Sequence, residues 1–199
     1  MNLNDMLARI RKDLRDEDSQ NYRWTDSELN RHIDHALREL SLSCPLEAKA
    51  TLSTTAESRD LSLSSLSDLV EIEAVEYPAG NYPPSYVRFS VWADTLPLLM
   101  DSLPGDSEDV YVYYGKLHTL NADSSTLPAK LEDLVALGAA AYAAMEWASF
   151  ATNRVHLGGA ETWRNYLTWG QDRLAAFMKG LAKHSKKNTV RVHRLYPVS

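Results

Sequence analysis

Apolar positions recur at three- and four-residue steps near both ends of the chain and at two-residue steps in its middle. Leu3, Leu7, Ile10 and Leu14 fall at i, i+4, i+7 and i+11, which predicts a first amphipathic helix. The polar run DEDSQN then breaks it. In the following stretch, YRWTDSELNRHIDHALREL, Thr25 and Glu28 have the spacing of a capping box, in which each side chain satisfies a free N–H at a helix start. Leu29, Ile33, Ala36, Leu37 and Leu40 line one face of the predicted second helix. Trp24, just before the cap, is placed to staple onto the first turn. This helix should stop near Cys44, ahead of Pro45.

From about residue 46 to 127 the period changes. LVEIEAVEYP sets Val70, Ile72 and Ala74 against Glu71 and Glu73, and DVYVYYGKL sets Val110, Val112 and Tyr114 against Tyr111 and Tyr113. Both read as strands, and YVRFSVW and TLPLLM read as further ones. PAGNYPPS and SLPGDSED between them carry turn residues. Helical spacing returns after STLPAKLEDL, where Pro128 suits a first turn and Glu132 and Asp133 complement its positive end. ALGAAAYAAMEWASFAT is alanine-rich, so a second helix can approach it closely. HLGG marks a turn, and a last helix follows with Trp163, Leu167, Gly170, Leu174, Phe177 and Leu181 on one stripe.

These elements predict a mainly α chain: an antiparallel bundle of four helices, an inserted antiparallel β subdomain and an extended C-terminal arm. The expected divisions are 1–45 for the N-terminal helix pair, 46–127 for the β-rich insertion, 128–183 for the C-terminal helix pair and 184–199 for the arm.

Length and composition fit this reading. The chain has 199 residues, 44% hydrophobic and 24% charged, which is ordinary for a globular protein of one domain with an insertion. No apolar run approaches the roughly 20 residues of a membrane span, and the charged N-terminus does not read as a signal peptide. The lone Cys44 excludes an internal disulfide and a cysteine-based zinc cage, and reads as a small buried hydrophobe. Charge is distributed unevenly. Residues 183–199 hold Lys183, Lys186, Lys187, Arg191 and Arg194 and no acidic side chain, so the other 182 carry a net −11 against −6 for the whole chain. An acidic body repels a phosphate backbone, so tail and body should have different partners.

Catalytic signatures are missing: there is no G-x-x-x-x-G-K-[ST], G-x-G-x-x-G or G-x-S-x-G. Glu28, His32, His35 and Glu39 share parts of one helical face and could be read as metal ligands. Without H-E-x-x-H or paired E-x-x-H they read better as an ion-paired helix surface. No catalytic, cofactor or metal site is expected, and the chain is not read as an enzyme. The middle region is rich in aromatics: Tyr77, Tyr82, Tyr86, Phe89, Trp92, Tyr111, Tyr113 and Tyr114. Only Arg88 and Lys116 accompany them, so core or protein interface is favoured over base stacking. In the tail, Val190 and Val192 alternate with Arg191 and His193. This is strand periodicity with no core of its own. It could fold back on the β insertion, stay disordered, or add a strand to a partner's sheet edge; the last is favoured. The residues assigned to that arm are Lys186, Lys187, Val190, Arg191, Val192, His193, Arg194, Leu195 and Tyr196.

The order of parts resembles the head–tail adaptor (connector) proteins of tailed bacteriophages. The resemblance is carried by RWTDSELNRHIDHALREL, by the β insertion closing on VYVYYGKL, by LPAKLEDLVALGAAAY and by the last helix from Trp163 to Leu181. It implies a structural protein of the virion neck, made in the host cytoplasm. Such proteins form a ring, usually of twelve copies, that docks under the portal, extends the DNA channel and offers the tail or nozzle proteins an attachment surface. DNA passes without sequence-specific binding, and no membrane or cofactor is involved. In several members of that family a C-terminal arm reaches the portal, and by position the resemblance puts such an arm on Lys186 to Tyr196. A tail-completion or tail-tube-end protein is the alternative within virion assembly. A nucleic-acid-binding protein using the basic tail is the alternative outside it.

Overall fold

The computed structural model describes residues 1–152 and 161–185. The chain divides into two compact units. Among the described residues, the first takes Met1–Cys44 and the chain from His118 to residue 185; the second runs Pro45–Leu117.

The helical unit begins with α1 (Leu3–Leu14), opened by a capping box between Asn2 and Asp5. It is closed by Arg15 in the left-handed conformation, φ 56°. The second helix, α2 (Asp26–Ser43), starts from the Thr25–Glu28 capping box and ends at Cys44. α3 (Ala129–Ala151) is apolar on every side and buries Leu131, Val135 and most of its alanines. Such a helix is a core helix, and α1, α2 and α4 (Thr162–His184) all pack against it. By length and composition alone α3 could cross a membrane, but its apolar positions are spent on those neighbours. The closest approach is to α4. A Cβ on Gly170 would stand 3.2 Å from the backbone oxygen of Ala141, and one on Gly138 would stand 2.9 Å from the Phe177 ring. His118 ties the returning chain to the end of α2: its N–H donates to Ser41 Oγ at 3.0 Å, and its Nε2 lies 3.1 Å from the Cys44 carbonyl oxygen. Leu120 and Leu127 then enter the helical core.

The second unit is a curled six-stranded antiparallel sheet in the order β1-β6-β3-β4-β5-β2. Its strands are β1 (Leu46–Ser53), β2 (Asp60–Ser62), β3 (Leu69–Glu76), β4 (Tyr86–Phe89), β5 (Thr95–Leu99) and β6 (Asp109–Lys116). β1 pairs with β6 without a break, from Leu46 opposite Lys116 to Ser53 opposite Asp109. On its other edge β6 pairs with β3 through two irregularities, at Leu69/Glu71 and Ile72/Ala74. The sheet has a core of its own, built on Leu61, Leu63, Val75, Leu96, Leu98, Val110 and Val112.

The expected fold class is therefore corrected. The chain is not a mainly helical bundle carrying a small β insert. Helix makes up 43% and strand 22% of the described residues, and the six strands form a complete sheet. Unnamed in the sequence reading, β1 and β2 are the strands that complete it. β1 pairs along all eight of its residues, and β2 pairs with β5. The predicted arm from Lys186 to Tyr196 lies outside the described residues, as does the HLGG turn.

Candidate functional site

The four residues considered as metal ligands on α2 do not converge on one point, although His35 Nε2 stands 3.6 Å from Glu39 Oε1. Glu28 is occupied at the helix cap, where Oε2 accepts from Thr25 N at 2.7 Å. His32 is buried, with Nε2 2.6 Å from Glu146 Oε2 but not aligned as a hydrogen bond. His35 stacks on Tyr142 at 4.3 Å, and Tyr142 donates to Glu39 at 2.6 Å. Among the described residues no group of three or more His, Cys, Asp or Glu side chains converges to hold a metal ion.

A buried ion-pair node in the helical unit is structural, and the sequence reading missed it. Arg11 and Asp16 are both buried, and Arg11 Nη1 donates to Asp16 Oδ2 at 2.7 Å. Arg11 Nη2 also reaches the Trp24 carbonyl oxygen at 3.0 Å and Asp26 Oδ1 at 2.6 Å. Asp16 in turn accepts the backbone N–H of Arg23 at 2.7 Å and of Trp24 at 3.3 Å. A buried ion pair survives only when its remaining donors and acceptors are also satisfied, and here both Asp16 oxygens and both terminal nitrogens of Arg11 have partners. The node fixes the loop between α1 and α2. Trp24, expected to staple onto its own helix, shares the buried helical core with Leu29 and also donates Nε1–H to the Ala143 carbonyl oxygen of α3 at 3.2 Å. Arg23 lies among the rings of Trp24, Trp147 and Tyr166 and donates to the Tyr166 hydroxyl.

The aromatic set of the sheet unit divides. Tyr77 is buried and donates to Glu108, whose other partner is the Gly105 N–H at 2.9 Å. Those two bonds hold the Glu108 carboxyl below its usual range. Tyr113 donates to the buried Glu76 at 2.7 Å, and that bond pushes its phenol up to about 12. Lys49 Nζ sits 3.3 Å above the Tyr111 ring. Tyr82 and Trp92, by contrast, stand almost free in solvent at 98% and 84% exposure. These are the features of a scaffold with side chains left over for contact.

A family model for the SU10 adaptor protein matches residues 1–192, so the chain belongs to the SU10 adaptor protein family. The resemblance drawn from the sequence thus holds: this is a bacteriophage adaptor with a structural role. No curated protein sequence matches the chain. Among solved structures, the chain is similar to one from the neck of an empty GTA particle computed with C6 symmetry. That likeness has 15% identity and a TM-score of 0.29, over 96% of this chain and 92% of that one. It is too loose to fix any arrangement of this chain.

Proposed function

We propose that this protein assembles as a ring, of twelve copies, beneath the portal of the filled capsid, where it lengthens the DNA channel and gives the tail proteins a surface to dock on. The observation that carries this reading is the adaptor family match across residues 1–192. The charge distribution supports it. A body with a net −11 offers few cationic contacts to phosphates, so DNA slides past instead of being held. The basic segment from Lys186 to Tyr196 is the part suited to an acidic or open-edged surface on the portal. No catalytic step is assigned to any residue. Depleting the protein during phage assembly tests the reading. DNA-filled heads without tails, rescued by adding the protein back, are expected; normal tailed particles lacking the protein would overturn it.

A further inference from the structure

The strands β4 and β5 meet in a tight turn that holds a tryptophan out into solvent. Trp92 and Thr95 exchange both backbone hydrogen bonds, each at 3.0 Å, across the two residues Ala93 and Asp94. Ala93 takes a left-handed φ of 49°, and the Leu63 N–H donates to the Asp94 carbonyl oxygen at 2.8 Å. Alanine is disfavoured at positive φ, and the backbone persists there because its surroundings fix it. The turn is therefore a stiff mount for Trp92, which is 84% exposed beside Val91 at 45%. A large apolar ring held out in water on a rigid support loses little conformational freedom on docking.

The helical unit has an open groove of about 520 Å³, counting its mouth. Leu14, Tyr166 and Trp169 form its apolar walls, and Asp13, Arg15 and Asn165 its polar lip. Its composition suits an indole. The ring would lie against the two aromatic walls, and the Nε1–H, a donor only, would find the Asp13 carboxylate or the Asn165 carbonyl at the lip. Charges match as well. Asp94, two residues beyond Trp92, and Arg15, on the lip, both lack an ion-pair partner among the described residues. We propose that the Trp92 turn of one copy seats in the Leu14–Tyr166–Trp169 groove of a second copy, with Asp94 facing Arg15. Such a contact joins two different faces of the same chain. It is heterologous, and repeated with rotation it closes a ring. The inference thus rests on the adaptor reading and names the surfaces that a ring would use.

The test mixes two full-length variants, Trp92→Cys and Asn165→Cys, under mild oxidation. Cys44 is buried and does not compete. The mixture should give a reducible two-chain band well above that of either variant alone. The doubly substituted chain should give chains of linked copies and not an internal disulfide. In parallel, Trp92→Ala should weaken self-association in sedimentation by roughly 30-fold or more, as for a central aromatic anchor, with an unchanged melting temperature. A mixture with no excess band, a predominantly internal disulfide, unaltered association of Trp92→Ala, or a wild-type chain that stays monomeric at about millimolar concentration would each overturn the contact. Portal binding separates this inference from the reading beneath it. Retained portal binding without the cross-link removes only this contact, and the cross-link without portal binding removes only the adaptor placement.

Discussion

Arg11 and Asp16 show how single side chains organise the helical unit. They are five apart in the sequence and come together because Arg15 takes the left-handed conformation and turns the chain back, with Asp16 N–H donating to the Arg11 carbonyl oxygen at 2.9 Å. Asp16→Ala would leave a buried guanidinium short of a partner and two backbone N–H groups unmet. The expected loss is about 3–5 kcal/mol of unfolding free energy, read from the denaturant midpoint. A loss under about 1 kcal/mol would mean the pair acts like an exposed one. His32 gives a different, pH-dependent outcome. Burial pushes its imidazole below its ordinary value of about 6.5, with the Glu146 carboxylate pulling the other way and Arg31 and His35 adding to the depression. An imidazole depressed in the folded state is taken up by protons first in the unfolded chain. Its stabilisation is therefore full above about pH 6.5 and is lost as pH falls from there toward the folded value. Glu146, held low chiefly by its hydrogen bond from Arg31, works in the same direction at more acid pH. Urea midpoints at about pH 7.5 and 5.5 should differ less in His32→Gln than in the wild type; an equal difference would contradict this.

α1, α2 and α4 were legible because their apolar positions repeat at the period of an α-helix, and α3 because an alanine-rich run follows Pro128; α1 and α2 also start from capping boxes. Both the Thr25–Glu28 box and the stop at Cys44 are where the pattern puts them. The sheet was only partly legible. β1 alternates Leu46, Ala48, Ala50 and Leu52 with Glu47, Lys49, Thr51 and Ser53, yet its inward positions are only half-buried and two are alanines. β2 is three residues long, too short for any periodicity to register. Pairing across the sheet, not local pattern, makes these segments strands, and this is why the fold class was misread. The Arg11–Asp16 node was hidden for a related reason: nothing local marks a left-handed arginine. The α3–α4 contact, by contrast, follows directly from the small side chains of α3. Phe177 fills the space beside Gly138 and is fully buried, so Phe177→Ala should cost about 3–5 kcal/mol. Thermal unfolding of that variant, followed through helical circular dichroism, checks it. A cost below about 1 kcal/mol would show that the two helices collapse onto the gap.

Taken together, the chain joins an acidic, self-contained scaffold of two units to a basic end whose side chains belong to no motif of the scaffold. The adaptor family match makes the scaffold a part of a larger assembly, and the charge split divides the labour. On the function proposed above, the body lets DNA pass, and the end is the part suited to hold on to a neighbour. Co-sedimentation of the full-length protein with purified portal rings, beside a version ending at Lys183, tests this most directly. The account predicts that the full-length protein pellets with the rings and that the shortened one stays in solution. Binding by neither version would contradict the placement under the portal, and equal binding by both would contradict the role given to Lys186–Tyr196.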